Sequence, residues 1–572
     1  MISRRAFLEM LAATGGAMAL PGAVSTSHAA DLLYDPPRFG NLSVLQIGDT
    51  HAQLLPTYYR EASVNIGLGQ EADQPPFLVG ESLLERYRVM PSTRQAYALV
   101  HSNFRDLAEV YGRTGGYAQL ATVIKQLRGS RPDALLLDCG DSFQGSGTAL
   151  WSHGADMAAA SNLLGVDAMT GSTEFSLGTT RLAELFWQEM QARSAFLAYN
   201  VQKKGDAESP AKPFAIYFVG GTPVGVIGQA SPQSGRYGAS PVSEAFDFAI
   251  DEARLQSTVD AVRGRGAKLV IVLSQAGVPI DLKLASRVRG IDVFMSGHSH
   301  DPLPAPIVVK SPSGSTLVSS VGAYGKFCGV LDLDIQGGRI RDYRFRLIPI
   351  FSNLIPPDAE MAALVAQHRA PFLPQLETKL ADNEMLLFRR GNFYSSTDHL
   401  ILSAMLAERN AEIAFTPGFR CGTTLLPGEP ITLERVLEQV AMGRSGLHVE
   451  AMSGERIRQN MEVWLDEVFN PDPYLRSGED MVRIAGLSYR CNPAAAAGAR
   501  ISEILVRGKP IKDKTYYKTV SWGLPGQEVT DPVPIWSVVA DYLKQIKTVV
   551  PFVPVLPKID GVAGNRGQFD GI

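Results

Sequence analysis

Five short runs, each followed at once by a loop of glycine and polar or metal-ligating residues, constrain the fold of this chain more than any other feature. The runs occupy residues 42–47, 134–137, 167–170, 268–273 and 291–295. Runs of this length, mostly Val, Ile and Leu and bounded by glycine, read as buried strands. Between them, residues 117–127 and 251–263 place apolar side chains at helical spacing. Strands alternating with helices predict an α/β sheet with helices on both faces, extended by strands near 221–229, 316–320 and 329–335.

The loops hold the chemistry. They read Gly48-Asp49-Thr50-His51, then Asp138-Cys139-Gly140-Asp141-Ser142-Phe143-Gln144-Gly145, then Gly171-Ser172-Thr173-Glu174-Phe175, then Ser274-Gln275-Ala276-Gly277, and last Ser296-Gly297-His298-Ser299-His300-Asp301. In an open α/β sheet the carboxyl ends of the strands form the binding edge. Three of these loops supply Asp49, His51, Asp141, His298 and His300. Converging there, they would make a metal site of mixed nitrogen and oxygen ligands. Each piece alone is a weak signal; the ordered set, one member after each strand, is a strong one.

With 572 residues the chain exceeds one ordinary core. Ile355-Pro356-Pro357 introduces a helix over 358–370, and Pro371 and Pro374 break it, which places a domain boundary there. A formal net charge of −4 gives no global electrostatic case for binding nucleic acid or an anionic membrane. Beyond the N-terminus no apolar run reaches the roughly 18 residues of a spanning helix. At the N-terminus, Arg4-Arg5 precedes a modest apolar stretch and the small-residue segment Ser27-His28-Ala29-Ala30. Residues 1–30 therefore read as a twin-arginine export signal, which delivers a folded passenger to the periplasm. The four cysteines, Cys139, Cys328, Cys421 and Cys491, show no CxxC spacing. Disulfides and buried free thiols both remain open, and Cys139 is expected beneath the site.

With these loops in hand, the chain resembles the binuclear metallophosphoesterases and, within them, the two-domain 5′-nucleotidase-like group. That family's pattern runs Asp-x-His, Gly-Asp, Gly-Asn-His-Glu, a His after the fourth strand, and Gly-His-x-His. Later segments narrow the resemblance: Phe415-Thr416-Pro417-Gly418-Phe419-Arg420-Cys421-Gly422, Phe469-Asn470-Pro471-Asp472-Pro473-Tyr474, Gly478-Glu479-Asp480-Met481-Val482-Arg483 and Ile535-Trp536-Ser537-Val538. These are similar to the SoxB thiosulfohydrolase family.

The resemblance implies a four-layer β-sandwich flanked by helices, α/β in the catalytic part and α+β overall, with a smaller C-terminal α+β domain. Residues 31–350 would form the catalytic domain, 351–383 a linker helix and 384–572 the C-terminal domain. Asp49, His51 and His300 would hold one metal, Asp141 would bridge, and His298 would belong to a second; Asp49, Asp141 and His298 would be the catalytic set. Two manganese ions are implied as cofactors. The activity implied is release of sulfate from a cysteine-bound thiosulfonate on a SoxYZ-type carrier, whose cysteine sits on a flexible C-terminal arm. Arg420 and Arg113 are candidates for binding substrate oxyanions; a structural ion pair is the alternative for each.

Two loops depart from the pattern. Ser172 and Thr173 stand where the family has Asn and His (SoxB-type chains have a Gly-His-Trp-Glu version), and Gln275 stands where it has a metal-binding His. Ser172 and Gln275 would be weak ligands, because a hydroxyl and an amide carbonyl bind first-row ions less well than imidazole. The departures leave room for a single ion, and for a catalytically impaired paralogue that still binds the carrier. A 5′-nucleotidase-type phosphoesterase is a third reading, with Phe393, Tyr394 and Phe419 as aromatics for a base.

Overall fold

The structure is a computed structural model that describes residues 33–34, 36–190, 194–204, 211–234, 245–441, 446–524 and 526–568. The export segment, residues 1–30, lies outside the described residues. No helix among those described is long and apolar enough to cross a membrane.

The first domain is built on two sheets rather than the single sheet that strand–helix alternation suggested. The first contains β1 (Leu42–Ile47), β2 (Leu135–Asp138), β3 (Ala168–Met169) and β4 (Ala195–Phe196), all parallel. The second contains β5 (Phe214–Val219), β6 (Thr222–Gln229), β7 (Leu269–Ser274), β8 (Val293–Ser296), β9 (Ile307–Ser311) and β10 (Gly314–Ser320). Its order is β9-β10-β8-β7-β6-β5, with the central four parallel. The hairpin β11 (Phe327–Gln336) and β12 (Arg339–Pro349) returns to the first sheet and pairs antiparallel with β1, giving the order β12-β11-β1-β2-β3-β4.

Side-chain alternation along the strands explains the layering. In β1, Leu42 and Val44 join a core with Leu137, Ile271, Leu273, Val293 and Met295, which lies between the sheets. Leu45 and Ile47 face the other way, into a core with the helices Tyr117–Ser130, Ala155–Leu164 and Ala359–Arg369. The outer face of the second sheet, through Val270, Val272 and Phe294, packs on helices Glu252–Gly264 and Val278–Arg287. Both faces of each sheet are therefore dry, and the order is helix, sheet, sheet, helix: the four-layer sandwich that the resemblance implied. The helix expected over 358–370 runs Ala359–Arg369, with the Asp358 side chain accepting from Met361 N as its N-cap.

The second domain centres on a four-stranded sheet ordered Leu447–Ser453, Tyr516–Trp522, Ile413–Gly418, Asp480–Ala485. Ala414 packs toward helices Ser396–Arg409 and Ile535–Ile546, while Ile413 and Phe415 pack toward helix Gly454–Phe469. Lys379–Asn383 pairs with Ile431–Thr432 and with Thr548–Val549. The domains are stitched by residues 53–116, a segment whose role composition gave no hint of. Its helices Gly80–Tyr87, Arg94–Leu99 and Phe104–Tyr111 share a small core with Val321, Phe327, Phe351 and Leu426. Tyr58 bridges to Thr424, Val64 to Gln568, and the Val64 carbonyl accepts from Asn392 N at 3.0 Å.

One buried ion pair pins the hairpin onto β1. Asp332 and Arg131 have no exposed side-chain area. Arg131 Nε and Nη2 donate to the carboxylate at 2.9 and 2.8 Å, and Ser43 Oγ donates to it at 2.7 Å. Breaking such a pair from one side leaves a buried charge without a partner. Asp332→Ala should lower the unfolding free energy by about 3–5 kcal/mol, measured as a fall in the urea midpoint with an unchanged m-value; a loss under about 1 kcal/mol would mean that the pair contributes no more than a surface contact.

Candidate metal centre

The loops after β1, β2, β3, β7 and β8 meet along one edge, and the meeting forces the chain into an uncommon conformation. Asp49, His51, Asp141, His298 and His300 all have positive φ, between 48° and 67°. Left-handed backbone is uncommon outside glycine, although Asp and His tolerate it better than most residues. Tertiary hydrogen bonds fix it here: Asp49 N donates to Gly140 O at 2.7 Å, His51 N to Asp141 O at 2.9 Å, and Tyr324 N to Asp49 O at 2.8 Å. Gly297 must be glycine for lack of room, since a Cβ there would come within 2.1 Å of Gln275 Oε1 and 2.8 Å of Asp49 Oδ2. Cys139 lies beneath, as expected, with its thiol on Met295 O at 3.4 Å and accepting from Gln46 Nε2 at 3.3 Å. All four cysteines are buried and unpaired, so the disulfide alternative falls away.

Asp49, His51 and His300 form one cluster, with a ligand atom from each within 4.8 Å of the others. His51 Nε2 and His300 Nε2 are 2.9 Å apart, and Asp49 Oδ1 is 3.5 Å from His300 Nε2. Both Nδ1 atoms are buried without a partner. Two ligand atoms, each about 2.1 Å from one ion and at right angles around it, lie about 3.0 Å apart. Spacing, burial and donor type therefore fit a divalent cation. Burial, then the neighbouring His300, pushes the His51 imidazole down to about 4; burial, then Arg390, pushes His300 down to about 3. Both are neutral near pH 7, the form that binds metal. Burial, then the Asp141 carboxylate, pushes Asp49 up to about 7.

Asp141 stands beside this cluster. Burial works against its charge, but His51, His298 and Thr173 hold it below the ordinary carboxylate range. Its Oδ1 accepts from Thr173 N at 2.8 Å and Thr173 Oγ1 at 2.7 Å. Ser172 turns its backbone N to Glu174 Oε2 at 2.8 Å. Gln275 does not present a ligand oxygen: its Nε2 donates to Asp49 Oδ1 at 2.7 Å. His298 N donates to both Asp49 oxygens at 3.0 Å, and His298 Nε2 faces the Ser477 carbonyl at 3.3 Å. The donor set around a second cation position therefore does not fit an ion in the way that the first does.

Two groups that the sequence reading missed hold this arrangement. Glu174 is fully buried, accepts from Ser142 N at 2.7 Å as well as from Ser172 N, and so ties the second loop to the third; burial, then Asp141, pushes it up to about 8. Arg390 reaches from the second domain, donating from Nη1 to His300 O at 2.9 Å and from Nη2 to Asp301 Oδ1 at 2.7 Å. The doublet Arg389-Arg390 beside Gly391-Asn392 was the available signal. Arg420 joins the clamp: Nη1 donates to Ser299 O at 2.9 Å and lies 3.3 Å from Asp301 Oδ2, while Nε lies 3.3 Å from Asp480. Arg113 is not brought to the cluster; it pairs with Glu429 at 2.7 Å, part-exposed, over the Tyr58 ring. Phe393 stacks on Phe469, Tyr394 meets Phe388 edge-on, and Phe419 meets Trp522 edge-on.

Residues 389–527 match the family model for the 5′-nucleotidase C-terminal domain. The solved structure of the sulfate thiohydrolase SoxB from Thermus thermophilus is 32% identical, with a TM-score of 0.86, over 92% of this chain and 98% of that one. A 5′-nucleotidase precursor, also from Thermus thermophilus, shares the fold, with a TM-score of 0.73 at 22% identity over 91% of this chain and 99% of that one. Human 5′-nucleotidase is 30% identical over 276 residues, 45% of this chain and 47% of its own length, so this chain matches about half of that curated relative.

Two outcomes are expected of the centre. Arg390→Ala removes the hydrogen bonds that orient the His300 loop, and losses of this kind cost about 10–100-fold in metal affinity; Mn(II) titration calorimetry measures it. Below pH 7 Asp49 must release its proton for an ion to bind, whereas the two imidazoles are already neutral. Mn(II) affinity should therefore rise by about tenfold per pH unit up to about pH 7 and then level; a flat profile from pH 5.5 to 8 would remove Asp49 from the ligand set.

Proposed function

This chain belongs to the SoxB family of the 5′-nucleotidase-like metallophosphoesterase superfamily, and from that premise we propose that it is a periplasmic, metal-dependent hydrolase releasing sulfate from a cysteine-bound thiosulfonate on a SoxYZ-type carrier. The observation that carries the reading is the closure of Asp49, His51 and His300 into one buried cluster at the strand ends. A divalent cation bound there, manganese by analogy with the family, supplies Lewis acidity and makes water a usable nucleophile near neutral pH. Asp49, His51 and His300 bind it. His298 holds its proton on Nε2 toward the Ser477 carbonyl, since a carbonyl oxygen can only accept. Arg420 fixes the Ser299 carbonyl with its charge paired to Asp301 and Asp480; we assign Arg113 no part. In the reaction a water oxygen bonds to the sulfonate sulfur and gives up a proton to solvent, the sulfur–sulfur bond breaks, and the outer persulfide sulfur of the carrier leaves with the electron pair, giving hydrogen sulfate and a cysteine persulfide.

A second reading has its own observation. The Gln275 amide turned toward Asp49 favours a paralogue that keeps the carrier-binding surface and turns over slowly. One assay separates the two: the purified chain with Mn(II) and a carrier-arm peptide bearing an S-thiosulfonated cysteine (Cys–S–S–SO3−), read as sulfate release, with AMP in parallel. Sulfate release that His300→Ala lowers by more than about 100-fold supports the hydrolase. Peptide binding without sulfate supports the paralogue. Phosphate release from AMP alone would overturn both in favour of a nucleotidase.

A further inference from the structure

We propose that the centre holds one divalent cation per chain, because Gln275 and Ser172 leave the second position without its expected imidazole and amide ligands and Thr173 occupies an oxygen of the bridging Asp141. The inference rests on the metal site of the preceding reading but not on its substrate.

The two aspartates decide it. In a two-ion site the ions sit about 3.5–4 Å apart and share oxygen ligands, so the bridging carboxylate, Asp141, must keep lone pairs open toward both. On Asp49, Oδ1 receives Gln275 Nε2 at 2.7 Å and both oxygens receive His298 N at 3.0 Å. With Asp49 ionised, as a metal ligand must be, the amide can meet it only as a donor, because Oε1 would set lone pair against lone pair. Gln275 therefore supports Asp49, a ligand of the first ion, and offers the second position no donor atom in place of the imidazole expected there. Its Oε1 is not aimed at an ion. It is buried against the α-carbon of Gly297, where even a methyl group would not fit. On Asp141, Oδ1 already accepts two hydrogen bonds from Thr173, at 2.8 and 2.7 Å.

The remaining corners agree. His298 Nε2 carries a proton toward Ser477 O, and Gly478 presses so closely on the ring that a Cβ there would lie 2.5 Å from Nε2. An ion could meet His298 only through Nδ1, so among the described residues His298 and Asp141 would be the only imidazole and carboxylate left to a second ion. Ser172 offers one short hydroxyl, on a loop whose backbone is tied down to Glu174 and whose carbonyl accepts from Ser234 Oγ at 3.3 Å. On the first-ion side the reverse holds: both imidazoles keep an unpartnered Nδ1, and their Nε2 atoms face each other beside a carboxylate. Among the described residues this is the group of three ligating side chains within reach of one ion.

The test is a count. The full chain, stripped of metal, is titrated with Mn(II) alone by calorimetry, and bound manganese is measured by atomic emission after desalting. One equivalent is expected, with the paramagnetic resonance signal of an isolated ion. Ser172→Asn with Gln275→His restores ligand types to the second position and should bind two equivalents with an exchange-coupled signal. Two equivalents and a coupled signal in the unaltered chain would overturn the proposal. So would a correctly folded double variant, by circular dichroism, that still binds one. One bound ion without sulfate release would sink the hydrolytic reading and leave this one standing; two ions with sulfate release would do the opposite.

Discussion

The Asp301 carboxylate, buried at the seam between two arginines, is the interaction on which the rest of the molecule depends. Arg390 and Arg420 both come from the second domain, and both also hold carbonyls of the loop that carries the histidines. A buried carboxylate is costly unless paired and hydrogen-bonded, so the first domain cannot expose this loop without losing its compensation. Arg420 also leans on Asp480, and Arg483 and Asn392 complete that second carboxylate. The position of His300 in the first domain is thus set by charge supplied from the second. Residues 53–116 reinforce the seam through backbone pairing at Tyr58 and Val64.

This explains how five left-handed residues can coexist at one edge. Each such conformation costs of order 1–3 kcal/mol unless its surroundings over-determine it. Here Gly140 O, Asp141 O, Glu174 and the Arg390 clamp all act on the same loops. The strain in these loops is therefore carried by contacts of the scaffold.

Much of this was legible in the sequence, and the limits have physical reasons. The strand over 42–47 was found to the residue because β1 is buried on both faces and leaves a continuous apolar run. The five ligand-type residues were legible because glycine-bounded loops follow such runs. What alternation could not say is which sheet a strand joins: β2 and β7 read alike, yet one lies in each layer. The helices within 80–111 escaped because they are short and bury a mixed set of residues. Residue type exposed Gln275 as a departure but not its direction, since an amide can give or accept. Arg420 was seen as a fork for oxyanions, but its geometry commits at least two of its nitrogens to Ser299, Asp301 and Asp480.

The four buried thiols have a consequence beyond packing. Only a thiolate attacks sulfur, and burial raises every thiol here, Cys328, Cys421 and Cys491 up to about 12 and Cys139 well above its ordinary value. The proposed reaction would bring activated sulfur into the centre. Burial keeps all four thiols protonated and poorly nucleophilic, and Cys139, the one beneath the centre, is held most firmly in that form.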